Sequence, residues 1–268
     1  MTEKSARIAA AHRLLRRVRR TETGEFLAEG AQAVREAVGA ELDAPGTVLE
    51  LYITEDAGHR NVELVRDAFA RGVTVTQITE RAAAALSESQ SPQGIIARCR
   101  SIDASLEDVL DDDPGLVAVL VGTNDPGNAG TIIRLADAVG ADAVILVGNA
   151  VDPMNPKVVR ASAGSIFHLP IVRAPDALTL IEQLREAGLT TMATSGAAEI
   201  ELDPADRDGM LTAPTAWIFG SEAHGLPEDV IAAADIPIRI PIHGRAESLN
   251  LATAAAVCLY ASATARRR

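Results

Sequence analysis

The stretch LVAVLVGTNDPGNAGTIIRLADAVG, residues 116–140, holds a strand, a loop and a helix in one continuous run. Leu116–Val121 are apolar without alternation, the pattern of a parallel strand covered on both faces rather than a half-solvated antiparallel one. The chain then turns polar. Asn124, Asp125 and Asn128 supply helix-capping oxygens, Pro126 fixes the turn, and Gly127 and Gly130 allow close backbone approach. This loop reads either as an ordinary helix start or as a helix N-terminus that receives a ligand. Arg134 lies one to two turns into the helix among Ile132, Ile133 and Leu135, where a solvated charge is the ordinary explanation.

Downstream the same alternation repeats. Apolar runs at 141–148 (ADAVILVG), 189–195 (LTTMATS), 215–220 (TAWIFG) and 235–242 (DIPIRIPI) alternate with helical stretches at 177–188 and 247–267. The fold class predicted for residues 115–268 is α/β, with a parallel sheet covered on both faces. Ligands of such sheets sit beyond the carboxyl ends of the strands, which directs attention to the loops after VLVG, WIFG and RIPI. The second of these is IFGSEAHGLP, residues 218–227, where Glu222 is placed either to orient an arginine or accept a proton, or to cap the helix opened by Pro227. The third is IPIHGRAESLN, residues 240–250, where Ser248 and Asn250 are at the least helix-start residues.

Upstream, residues 24–100 read as a smaller α/β unit. FLAEG leads into AQAVREAVGA, VLELYIT into HRNVELVRDAFARG, and VTVTQIT into ERAAAALSES, before GIIARCR closes as a strand. The Asp-rich SIDASLEDVLDDDPG that follows is predicted to be an acidic linker over 101–114, separating a domain at 1–100 from one at 115–268.

Composition narrows the chemistry. The 268 residues carry a formal charge of −12, and aromatics are only 3%, so an interior of small aliphatic side chains is expected. Charge is unevenly spread. Residues 1–20 hold Lys4, Arg7, Arg13, Arg16, Arg17, Arg19 and Arg20 against Glu3, which reads either as a solvated arm or as a local nucleic-acid contact. No apolar run approaches the roughly 20 residues of a membrane span, and the N-terminus lacks a signal-peptide core, so a cytoplasmic protein is expected. Cys99 and Cys258 lie far apart in apolar surroundings and are expected as reduced, buried thiols; the five histidines lack ligand spacing, so no metal site is expected. No Gly-x-Gly and no Gly-x-x-x-x-Gly-Lys occurs, which disfavours dinucleotide binding, the usual Rossmann methyltransferase loop and P-loop hydrolysis. Ser221 directly follows Gly220, so the Gly-x-Ser-x-Gly elbow of serine hydrolases is absent too.

Taken together, NDPGNAGTIIR, IFGSEAHGLP and IPIHGRAESLNLATAAAV resemble the three ordered motifs of the SPOUT superfamily, in its SpoU or TrmH branch of RNA ribose 2′-O-methyltransferases. GEFLAEGAQAVREAV and SPQGIIARC are similar to the small substrate-binding domain that many members carry, so the resemblance covers nearly the whole chain. It implies a catalytic domain with a trefoil knot, a rarity that no pattern argument proposes. It also implies a homodimer and S-adenosylmethionine as methyl donor. The cofactor-binding positions carried over are Thr194, Ser195, Gly220, Ser221, Gly225, Ile240, Ile242, Ser248 and Leu249. Arg134, Glu222, Ser248, Asn250 and Asn128 match the active-site positions, with the family's arginine facing the cofactor of the partner subunit. RNA contact is expected from Arg7, Arg13, Arg16, Arg17, Arg19, Arg20 and Arg134.

The activity so implied is methyl transfer to a ribose 2′-hydroxyl of structured RNA, with ribosomal RNA favoured over tRNA by the extra N-terminal domain. Other readings are base methylation, which the Ser248-Leu249-Asn250 run disfavours, and a non-catalytic RNA-binding factor. A small-molecule methyltransferase leaves the N-terminal domain without a task.

Overall fold

A computed structural model describes residues 1–268. The chain divides into two compact units, one of residues 1–102 with 152–168, the other of residues 103–151 with 169–268.

The first unit contains a four-stranded sheet. Its strands are β1 (Glu25–Glu29), β2 (Val48–Ile53), β3 (Val75–Gln77) and β4 (Ile95–Arg100). They lie in the order β1-β4-β2-β3, antiparallel except for the parallel β2/β3 pair. Helices α1 (Ala6–His12), α2 (Arg17–Thr23), α3 (Ala31–Ala40), α4 (Glu55–Arg60), α5 (Val62–Ala70) and α6 (Glu80–Ala85) surround it. Ile8, Ala11 and Leu14 pack with Leu27, Tyr52, Leu86 and Ile96, so the basic N-terminal segment is anchored by its apolar side. Each fully buried aliphatic side chain of this kind contributes about 1.5–3 kcal/mol.

Arg20 is the exception to the arm's polarity. It is 5% exposed and Asp152 is 4% exposed. The Arg20 guanidinium donates to the Asp152 carboxylate at 2.7 Å and to the carbonyls of Leu14 and Leu15 at 2.9 Å each. Arg160 pairs with Glu29 at 3.1 Å, and Phe167 stacks on Phe26 at 6.0 Å. These contacts draw residues 152–168 into the first unit, whereas the sequence places that segment in an uninterrupted domain at 115–268.

The second unit begins with β5 (Asp103–Ala104) and α7 (Leu106–Asp111), within the stretch expected to be a linker. That expectation is corrected. Ser105 caps α7 by accepting from the Asp108 amide at 3.0 Å, Glu107 and Asp108 complement the positive end of the helix, and Val109 is buried. The chain continues through β6 (Leu116–Val121), α8 (Pro126–Val139), β7 (Ala143–Val147), then α9 (Pro156–Ala161) of the first unit, and β8 (Ile171–Ala174). It ends with α10 (Ala177–Glu186), β9 (Thr190–Thr194), β10 (Ile200–Glu201), α11 (Leu202–Arg207), β11 (Thr215–Phe219), α12 (Glu228–Ala233), β12 (Ile236–Arg239) and α13 (Leu251–Ala265).

All eight strands of this unit are parallel, in the order β10-β12-β9-β11-β6-β7-β8-β5. The α/β class and the parallel sheet read from the apolar runs are therefore present. One face carries Val117, Val119, Ile145 and Ile218 against Leu180, Leu184 and Val230 of α10 and α12. The other lies under α8 and α13, where the buried Trp217 indole donates to the Ser262 hydroxyl at 2.8 Å. Cys99 and Cys258 are free, buried thiols, and burial pushes both pKa values up. No helix is long and apolar enough to cross a membrane, and no group of three metal-ligating side chains occurs.

Candidate active site

The three polar loops follow β6, β11 and β12 at their carboxyl ends, and side-chain hydrogen bonds join them. Asp125 is the N-cap of α8 and accepts from the Asn128 amide at 2.8 Å, with Pro126 in the first turn. This capping holds Asn128 at the start of the helix. Asn250 caps α13, its side-chain oxygen accepting from the Thr253 amide at 3.2 Å, so its NH₂ group points outward. That NH₂ donates to the side-chain oxygen of Asn128 at 3.0 Å. The Asn128 NH₂ in turn donates to the Glu222 carboxylate. The relay has one direction. Because the helix end fixes the Asn250 amide, Asn128 has only its NH₂ left for Glu222, and Glu222 must accept.

The loop carrying Glu222 is itself tightly closed. Ser221 and Gly225 form a short antiparallel bridge, with the Gly225 amide donating to the Ser221 carbonyl at 2.8 Å. A Cβ on Gly220 would lie 2.2 Å from the Gly225 carbonyl carbon and 2.3 Å from the Leu226 nitrogen. Only glycine fits there. Alongside, Thr194 donates to the Ile218 carbonyl at 3.1 Å and the Ser195 amide donates to that of Ile238 at 2.9 Å, fixing the end of β9 between its neighbours.

These loops enclose a cavity of about 440 Å³. Thr194, Ser195, Gly220, Ser221, Gly225, Ile240, Ile242, Ser248 and Leu249 all line it, together with Glu222 and Asn250. Every position carried over as cofactor-binding thus meets in one place. Asn128 reaches the cavity wall through its bonds to Glu222 and Asn250. Arg134 does not line the cavity. It is exposed on α8 and has no hydrogen-bond or ion-pair partner within the chain. Sequence reading missed Gly196, Ile238, Glu247, Leu251 and Ala254, which also line the wall. Glu247 carried a signal, since it directly precedes Ser248. A larger groove of about 530 Å³ lies against α12, lined by Ser195, Glu199 and Glu228 among alanine, isoleucine and proline side chains, and it contains none of Asn128, Glu222, Ser248 or Asn250.

The basic arm divides by environment. Arg20 is a buried structural ion pair and not a free phosphate contact, which corrects its place among the RNA-binding candidates. Arg19 pairs with Glu22 at 2.7 Å and Arg7 with Glu50 at 3.3 Å. Arg13, Arg16 and Arg17 are exposed and have no ion-pair partner.

An eight-stranded parallel sheet with three hydrogen-bonded loops at its carboxyl edge, two of them lining a cavity, defines a class, and comparison with known proteins identifies it. Residues 115–260 match the SpoU rRNA Methylase family, and residues 5–97 match the MRM3-like substrate binding domain. The chain belongs to the SpoU rRNA Methylase family. Among its relatives, the 23S rRNA (guanosine(2553)-2′-O)-methyltransferase RlmP of Bacillus subtilis is 32% identical, over 90% of this chain and 89% of that protein. The 23S rRNA (uridine(2479)-2′-O)-methyltransferase of Streptomyces viridochromogenes is 34% identical, over 97% and 90%. The crystal structure of an AdoMet-bound rRNA methyltransferase from Sinorhizobium meliloti superposes with a TM-score of 0.82 at 31% identity, covering 98% of this chain and 97% of that one.

Proposed function

We propose that the protein transfers a methyl group from S-adenosylmethionine to a ribose 2′-hydroxyl of ribosomal RNA, as its RNA-methylating relatives are named for doing. The observation that carries this reading is the relay Asn250–Asn128–Glu222 at the wall of a cavity lined by all nine carried-over cofactor positions.

The cavity suits that cofactor. Ile238, Ile240, Ile242 and Leu249 offer an apolar surface for an adenine ring, the glycine-bearing loops offer backbone groups, and the wall includes carboxylates but no lysine or arginine to oppose a sulfonium. Bound there, S-adenosylmethionine supplies the electrophilic methyl group. The protein's part is to hold the 2′-oxygen in line behind that methyl and to stabilise the charge left as its proton departs.

Arg134 is the group for the second task. A guanidinium stays protonated at ordinary pH, so it acts as a fixed cation that stabilises developing alkoxide and grips the adjacent phosphate rather than as a base. It does not line the 440 Å³ cavity of its own chain, which supports a homodimer in which each Arg134 serves the partner subunit's cavity. Val257 and Tyr260 are exposed on α13, the helix that packs against α8, and offer apolar surface for such an interface. The trefoil knot of the family and a cytoplasmic location belong to the same reading. Residues 1–102 serve as the RNA-binding domain and the eight-stranded unit, β5 and α7 included, as the catalytic domain. Arg13, Arg16 and Arg17 supply phosphate contacts.

The test is transfer of labelled methyl from S-adenosylmethionine to unmodified ribosomal RNA, followed by alkaline hydrolysis. A 2′-O-methyl blocks cleavage at its own linkage, so the label is expected in an alkali-resistant dinucleotide. Label in mononucleotides would indicate base methylation, and no incorporation would favour a non-catalytic binding factor.

A further inference from the structure

The charges around the 440 Å³ cavity are one-sided. Glu222 and Glu247 line it, and no lysine, arginine or histidine does. The two carboxylates differ in their engagement. Glu222 is held by Asn128, whereas Glu247 is exposed and has neither a hydrogen-bond nor an ion-pair partner. His243 and Arg245, earlier in the same loop, are exposed but do not line the wall. The remaining wall is neutral: glycine backbone, the Asn250 amide, the hydroxyls of Thr194, Ser195, Ser221 and Ser248, and aliphatic side chains.

The inference rests on the cofactor assigned under the proposed function. S-adenosylmethionine and its demethylated thioether product, S-adenosylhomocysteine, share the adenosine, the amino group and the carboxylate. They differ by one methyl and one positive charge at sulfur. Apolar and backbone contacts to the shared parts bind both alike, and a uniform binding surface gives no preference. A fixed negative charge in the wall does distinguish them.

We propose that Glu247 is a specificity-determining residue that reads the sulfonium charge, favouring the methyl donor over the spent product and so easing product release. It acts through space as an unpaired carboxylate, and Glu222 is kept in place by Asn128 for the active-site relay. Through a partly solvated wall, one such charge corresponds to a discrimination of about three- to tenfold.

Titration calorimetry of the full-length protein with each compound tests this, comparing the wild type with Glu247→Gln and with Glu199→Gln, a carboxylate outside this cavity. Glu247→Gln is expected to weaken S-adenosylmethionine by about three- to tenfold at low salt while leaving S-adenosylhomocysteine within about twofold, with the difference shrinking as salt rises. Glu199→Gln should change neither ratio. Equal weakening of both compounds would show Glu247 reading the shared amino group and would overturn the proposal, as would no change in either. A wild-type protein that binds neither compound would instead remove the cofactor assignment itself.

Discussion

Asn250 donates its side-chain amide to Asn128 at 3.0 Å, joining the cap of the last helix to the first turn of α8 across 122 positions of sequence. Each of the two asparagines is itself tied to a helix end, so the contact fixes two loops at once, and the Asn128 bond to Glu222 adds the third. Asn128→Ala removes both bonds without filling the gap. Turnover is expected to fall by about ten- to a hundredfold, from two hydrogen bonds worth about 1 kcal/mol each, with cofactor affinity changed less than threefold. Steady-state kinetics beside a binding titration measures the two separately.

The RNA contact proposed for the basic arm rests on Arg13, Arg16 and Arg17, which are exposed and have no ion-pair partner. The triple substitution Arg13→Ala, Arg16→Ala, Arg17→Ala is predicted to weaken RNA binding and to lower the salt slope of log K by about 2–3, with the melting temperature nearly unchanged. Arg20→Ala should do the reverse. It removes the guanidinium partner of the buried Asp152 carboxylate and is expected to cost about 3–5 kcal/mol of stability. Chemical denaturation paired with filter binding across salt concentrations distinguishes the two outcomes.

Acid stability should depend on the strap between β9 and β12. Burial alone would raise the Asp235 pKa, but hydrogen bonds from the Thr191 hydroxyl at 2.7 Å and amide at 2.9 Å, with Arg185 at 2.9 Å, bring it below the usual aspartate value. A carboxyl lowered on folding stabilises fully above its unfolded pKa and loses that contribution as pH falls through the folded one. Asp235→Asn is therefore expected to be less stable than wild type at neutral pH, with the gap closing in acid. Urea midpoints measured from neutral pH down through the aspartate range give the comparison.

Much of the site was legible because its loops interrupt uniformly apolar strands. Asn124-Asp125-Pro126-Gly127 became the N-terminus of α8 as its capping chemistry dictates, and Phe219-Gly220 became a strand end at which only glycine fits. The relay was not legible, since nothing local tells Asn128 which of its neighbours in space will accept its amide. Within the arm, Arg13, Arg16, Arg17 and Arg20 are equivalent as letters, and only the distant Asp152 separates the structural one from the free ones. The same long-range pairing draws residues 152–168 into the first unit by contact, although the family match runs unbroken through residues 115–260. The linker was misread for a local reason. Its acidic residues signal solvation, yet Ser105 with Glu107 and Asp108 is also a helix-start pattern, and Val109 supplies enough apolar surface to seat the helix.

Arg134 is proposed to stabilise charge on a ribose oxygen at a cavity that it does not line in its own chain. The most direct measurement is Arg134→Ala, assayed for labelled methyl transfer to ribosomal RNA and titrated with S-adenosylmethionine on the same preparation. Turnover is expected to fall below detection with cofactor affinity nearly unchanged. Methyl transfer by Arg134→Ala at a rate close to wild type would contradict it.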